Sequence, residues 1–137
     1  MTADERATPP RPPLRGRRIL VVEDDYFIAS DLARALADLG AAVLGPVASV
    51  ADALALVASE PAIDAAVLDV NLRGKRVFPV ADALRARAVP YVFATGYDAW
   101  LIPPEHAGAP RREKPVNARA LARLLAEVCA GDGADDR

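Results

Sequence analysis

The stretch Ile19-Leu20-Val21-Val22-Glu23-Asp24-Asp25 decides how this chain is read. Four apolar residues stand in an unbroken run, with no polar alternation. That is the pattern of a short strand covered on both faces. The run ends abruptly in three acids. A buried strand that delivers carboxylates at its carboxyl end is a site signal, because open α/β sheets bind ligands beyond their strand ends.

Outward from this stretch, the hydrophobic period keeps switching. Ile28, Leu32, Ala35, Leu36 and Leu39 form one helical stripe, closed by Gly40. Ala42 to Val47 reads as a second strand. Ser49 is an N-cap for a helix through Ser59, with Val50, Leu54 and Val57 inward. Ile63 to Leu68 is a third strand. A helix follows over about Val77 to Arg87, with Pro79 tolerated in its first turn. Pro90 to Ala94 is a fourth strand. The alternation then falters: Gly96 to Pro110 holds Pro103, Pro104, Gly108 and Pro110, which leaves room for a short helix or none. Arg111 to Glu113 is a short fifth strand, and Asn117 caps a last helix with Leu121, Leu124, Leu125 and Val128 inward. Strands alternating with helices in this way give a doubly wound α/β fold with right-handed crossovers.

The 137 residues suffice for one domain. Residues 1–16, with prolines at 9, 10, 12 and 13 and arginines around them, read as a flexible, solubilising arm. Residues 17–130 are the folded domain, and the Gly/Asp-rich 131–137 is a tail. A net charge of -2 argues against a nucleic-acid partner held by bulk charge. No apolar run reaches the roughly 18 residues of a membrane span, and the polar N-terminus lacks a signal-peptide core. The single Cys129 excludes an internal disulfide, fits a cytoplasmic location and is expected to serve packing. The single His106 excludes a metal site of several histidines and is expected to be an exposed loop residue. Trp100, Leu101 and Ile102 either pack locally or form an apolar partner surface.

The remaining polar chemistry gathers at strand ends. Strand one ends in Glu23-Asp24-Asp25, strand three in Asp69, strand four in Thr95, and strand five just before Lys114-Pro115. Carboxylates crowded on one rim repel, by about 4 kcal/mol for a pair at roughly 4 Å and an effective dielectric near 20. A divalent cation turns that cost into a binding site, and magnesium suits carboxylate and carbonyl ligands. Lys114 adds a second cation. It is one of only two lysines among 17 basic residues, so a compact ammonium is favoured there. Thr95 offers a hydroxyl. Nucleophile, metal, cation and hydrogen-bond donor are the parts needed to move a phosphoryl group onto a carboxylate. Asp25 can also act simply as a helix cap.

These pieces resemble the receiver domains of two-component response regulators: ILVVEDD at 19–25, VLD at 67–69, Thr95 after strand four, and Lys114-Pro115. The resemblance spans nearly the whole folded part. It implies a flavodoxin-like (βα)5 fold with a parallel sheet in the order 2-1-3-4-5 and a fourth helix that is short or irregular. It implies Asp69 as phosphoacceptor, and Glu23 and Asp24 as the acidic metal pair with Asp24 the direct ligand. The backbone carbonyl of Asn71 is implied as a further ligand, for Mg2+ or Mn2+. Thr95 and Lys114 would each hold a phosphoryl oxygen. The stretch Pro90-Tyr91-Val92-Phe93-Ala94-Thr95-Gly96-Tyr97 resembles the FAT GUY subfamily, whose members are often single-domain and are associated with histidine kinases of the HWE and related classes.

Two positions depart from the family pattern. The aromatic switch residue expected three positions before the lysine is Arg111 here, with Tyr97 as the candidate stand-in. The subfamily motif usually continues with glycine, where this chain has Asp98. The resulting expectation is a stand-alone cytoplasmic switch, not a turnover enzyme. It signals by contact with a downstream partner or drains phosphate within a kinase network. One rival is a degenerate receiver that binds partners without phosphorylation, although such domains usually lose an acid or the lysine. Another is a haloacid dehalogenase-type phosphohydrolase, which wants a second aspartate where Asn71 stands.

Overall fold

The structure, a computed structural model, describes residues 12–96 and 99–135. Its β1, Arg18–Val22, is buried from Ile19 onward. The strand has neighbours on both edges: β2, Ala42–Val47, on one side and β3, Ala65–Asp69, on the other. Beyond β3 lie β4, Tyr91–Thr95, and β5, Arg111–Glu113. All four pairings are parallel, and the order β2-β1-β3-β4-β5 is the one expected. Strands β3 and β4 begin at Ala65 and Tyr91, slightly later than hydrophobicity alone suggests.

The unbroken apolar run of β1 is explained by two cores. Ile19 and Val21 face one side with Val67 and Val92, under Leu32 and Leu36 of α1, Tyr26–Asp38, and Leu121 and Leu125 of the C-terminal helix. Leu20 and Val22 face the other side with Leu68 and Phe93. There they meet Val57 of α2, Val50–Ser59, and Val80 and Leu84 of α3, Phe78–Ala86. Successive side chains of a strand point to opposite faces, so a strand covered twice must be apolar throughout.

The helices start where the sequence places them. Asp25 Oδ1 accepts the Ile28 N–H at 3.0 Å, Ser49 Oγ accepts the Asp52 N–H at 3.1 Å, and Asn117 Oδ1 accepts the Ala120 N–H at 3.0 Å. Each cap satisfies one orphaned donor, worth about 1 kcal/mol. Pro79 lies in the first turn of α3, where its missing N–H costs nothing. No helix among the described residues is long and apolar enough to cross a membrane.

Three expectations are corrected. Leu14, assigned to a flexible arm, is fully buried in the α1 core, and its N–H donates to Leu39 O at 2.8 Å. Ordered packing therefore begins before residue 17. The last helix, α4, runs Ala118–Asp135, through a stretch read as tail. His106, read as exposed, is 2% exposed.

The histidine belongs to the irregular segment. Between β4 and β5 there is no regular helix among the described residues, only two 3-10 turns, Ala99–Leu101 and Pro104–His106. The second turn drives the His106 ring inward. It bonds Tyr91 Oη through Nδ1, meets Asp82 Oδ1 at 2.7 Å through Nε2, and stacks on Phe78 at an interplanar angle of 12°. Its partners lie on β4 and α3, so local polarity could not report them. Trp100, by contrast, is 79% exposed, while Ile102 packs against the α2–α3 core.

Candidate functional site

The parallel register sets the chemistry on one rim. Glu23 and Asp24 directly follow β1, Asp69 is the last residue of β3, and Lys114 directly follows β5. One carboxylate oxygen from each of Glu23, Asp24 and Asp69 lies within 4.8 Å of the others. Glu23 and Asp69 are both buried at 5% exposure, with Asp24 half-buried between them and solvent.

Lys114 reaches into this cluster. Its Nζ donates to Asp69 Oδ2 at 3.0 Å and lies 3.2 Å from Glu23 Oε1. The Asn71 N–H donates to Asp69 Oδ1 at 3.2 Å, and the Asp25 N–H to Glu23 Oε2 at 3.1 Å. Burial pushes the Asp69 carboxyl up to about 7, and the neighbouring Glu23 adds to that rise while Lys114 opposes it. Lys114 is held above its ordinary value: burial works against its charge, but Asp69 and Glu23 outweigh burial. Burial also pushes Asp24 up. The neighbouring Asp69 carboxyl, the N–H that the Arg73 amide donates to it, and Glu23 together overcome this and leave it below its ordinary value.

A feature that sequence reasoning missed closes one side. Asn71–Leu72 pairs antiparallel with Lys75–Arg76 to make a small hairpin. Arg73 and Gly74 at its tip have φ of 52° and 88°, the positive values a type I′ turn requires. Asn71 Oδ1 accepts the Gly74 N–H at 2.9 Å, and the Arg73 N–H donates to Asp24 Oδ2 at 3.0 Å. The hairpin is thereby clamped to the acidic pair. Gly74 was the available signal, but arms of two residues carry no readable period.

The other expected residues divide. Thr95 is fully buried at the end of β4, and its hydroxyl faces Arg112 O at 3.5 Å. Its carbonyl accepts the Lys114 N–H at 2.6 Å, which ties the lysine to β4. Arg111 is exposed on β5, opposite Phe93. Tyr97, the candidate stand-in for the switch aromatic, lies outside the described residues, as does Asp98. Lys75 is exposed on the hairpin, away from the acids' hydrogen bonds.

The donor set fits a hard divalent cation. Three carboxylates converge from two strand ends, and only one ammonium offsets them, so an oxygen-seeking metal is the natural complement. Above the acids an open cleft is lined by Asn71, Arg76, Gly96, Trp100 and Leu101, with room for a transferred group.

No family model matches the sequence, and no curated protein matches it closely enough to count. Solved structures do. SdrG from Sphingomonas melonis Fr1 is 42% identical with a TM-score of 0.70, over 85% of this chain and 98% of that one. The BeF3-activated conformation of SdrG, from Pseudomonas melonis Fr1, is 42% identical with a TM-score of 0.66, over 82% of this chain and 95% of that one. A CheY-like response regulator receiver domain protein from Methanospirillum hungatei JF-1 is 25% identical with a TM-score of 0.72, over 87% of this chain and 98% of that one.

Proposed function

The chain belongs to the response regulator receiver family, and from that premise we propose that Asp69 accepts a phosphoryl group from a histidine kinase. The observation that carries the proposal is the contact of Lys114 Nζ with Asp69 Oδ2 at 3.0 Å, inside a cluster of three carboxylates. One Asp69 oxygen is engaged by the lysine and the other by the Asn71 amide. The carboxylate is thus oriented towards the cleft before any donor arrives, which lowers the entropic part of the barrier.

Glu23, Asp24, Asp69 and the Asn71 carbonyl would hold Mg2+ or Mn2+. That ion would supply charge neutralisation for the acids and the incoming phosphoryl oxygens. Lys114 pairs with one phosphoryl oxygen once the group is transferred. Thr95 turns its hydroxyl from the Arg112 carbonyl to another. The new charge of about -1.5 to -2 then biases the segment from Gly96 to Pro110. With Arg111 in the usual aromatic position, Tyr97 is the proposed stand-in for the switch residue. The protein acts as a switch in the cytoplasm, through a downstream partner or as a phosphate sink.

Membership of the FAT GUY subfamily, and with it a kinase of the HWE or a related class, is supported by the sequence from Pro90 to Tyr97. The two 3-10 turns in place of a regular helix are consistent with it. The test is intact-mass spectrometry after incubation with acetyl phosphate, with and without magnesium. One magnesium-dependent phosphoryl adduct is expected on the wild type and none on Asp69→Asn. An undiminished adduct on the variant would sink the assignment.

A further inference from the structure

The hairpin brings a cation to the cleft that neither the sequence motif nor the acidic cluster accounts for. Arg76 is its last residue, and its side chain lines the same cleft as Asp69 and Lys114. Its Nη1 donates to Asn71 Oδ1 at 3.4 Å, a long and weak bond. The guanidinium has five N–H donors in a fixed fork. Arg76 makes no ion pair among the described residues, although acids stand across the cleft. Asn71 is the hub: its N–H holds Asp69 Oδ1, while its side-chain oxygen holds the hairpin tip through Gly74 and the arginine through Nη1. The arginine is therefore tethered two hydrogen bonds from the Asp69 carboxylate, with most of its donors uncommitted.

We propose that Arg76 is a second cation of this site, whose guanidinium takes an oxygen of the phosphoryl group on Asp69 and slows its loss to water. The proposal rests on the reading of Asp69 as the phosphoacceptor. In the loss, water attacks phosphorus and the bond from phosphorus to the Asp69 oxygen breaks. The carboxylate leaves with the bonding electrons, and inorganic phosphate departs carrying the water's oxygen. A guanidinium bonded to a phosphoryl oxygen covers the hairpin side of the group and holds it in place. Arginine suits this task because its planar fork matches phosphate oxygens in pairs, whereas Lys114 acts as a point charge from the β5 side. The hairpin supports the assignment, since the Arg73 amide clamps it to Asp24 and fixes the base from which Arg76 extends.

The test follows the decay of the adduct after acetyl phosphate and magnesium are removed by rapid desalting, by intact mass, in wild type, Arg76→Ala and Arg76→Lys. Arg76→Ala should lose the group about five- to tenfold faster, the factor expected for one charge-assisted contact. Arg76→Lys should fall between the two. Melting temperatures of the unmodified proteins should agree, because an exposed side chain with one weak bond contributes little to folding. Equal or slower decay in Arg76→Ala overturns the proposal. A lowered melting temperature with unchanged decay also overturns it and assigns Arg76 to the hairpin alone. No adduct on the wild type removes the Asp69 reading and this one together. An adduct on the wild type with unchanged decay in Arg76→Ala removes only this one.

Discussion

Replacing Asp69 by asparagine should stabilise the metal-free protein while removing its response to magnesium. One carboxylate oxygen from each of Glu23, Asp24 and Asp69 lies within 4.8 Å of the others. At pH 8, above the raised Asp69 value of about 7, and at an effective dielectric near 20, each ionised pair at that separation costs about 3.5 kcal/mol. Lys114 at 3.0 Å returns about 5.5 kcal/mol to Asp69 on the same scale. Neutralising Asp69 removes two repulsions and one attraction, a net relief of about 1.5 kcal/mol before the burial of the carboxylate is added. For a domain of this size that is a rise of about 6 °C in Tm. Asparagine has nearly the same shape and still accepts the Asn71 N–H, while Lys114 loses Oδ2 as an acceptor and keeps Glu23 Oε1 at 3.2 Å. Magnesium at a hundredfold excess over its dissociation constant should add about 2.7 kcal/mol, or roughly 10 °C, to the wild type. The variant has lost a charged ligand and should gain little. Differential scanning fluorimetry in EDTA and in magnesium would then show the two proteins exchanging rank. If Asp69→Asn melts below the wild type in EDTA, the crowding is not net unfavourable and the electrostatic reasoning fails. Equal magnesium shifts in both proteins would refute the assignment of Asp69 to the metal site.

The pH dependence follows from the same carboxyl. Asp69 is raised from 3.8 to about 7 in the fold, by burial first and Glu23 second, so the native state holds this proton more tightly than the unfolded chain. Its contribution to stability is complete below 3.8 and lost as pH rises through about 7. In EDTA, the change in urea midpoint from pH 5.5 to 8 should therefore be more negative for wild type than for Asp69→Asn; equal changes would contradict the shift. His106→Leu should cost about 2–3 kcal/mol, because it strands the buried Tyr91 hydroxyl. Urea unfolding checks this, and a loss under 0.5 kcal/mol, the ordinary range for surface changes, would deny the ring its anchoring part. Leu14→Ala should cost about 2–4 kcal/mol by the same assay, as for any core leucine. A neutral result would return Leu14 to the arm.

What the sequence disclosed was what is local or periodic. The apolar runs of β1 and β3 mark strands covered twice, and the caps Asp25, Ser49 and Asn117 mark helix starts within three residues of their partners. The acids and the lysine were legible because each directly follows or ends a strand, and parallel strands bring such positions to one edge. Contacts across the chain were not legible. His106 looks like a loop residue until Tyr91 and Asp82, 15 and 24 positions away, are folded against it. Leu14 stands among prolines and arginines, and only Leu39 and the α1 core reveal it as interior. The hairpin at Asn71 to Arg76 was invisible for another reason: two-residue arms cannot establish a period, and Gly74 alone does not say what pairs around it.

The segment between β4 and β5 has an experimental consequence. It holds the chain's one tryptophan and its one histidine, six positions apart and pointing in opposite senses. Trp100 looks out over the cleft, while His106 is sunk among Phe78, Tyr91 and Phe93. Indole fluorescence and imidazole proton resonances therefore each come from a single known place. One reads the solvent side of the segment and the other its anchorage, in the native sequence and without an added label. A change in the indole signal with the imidazole resonances undisturbed would describe a tip that moves on a fixed root. A change in both would describe the whole segment lifting from the sheet.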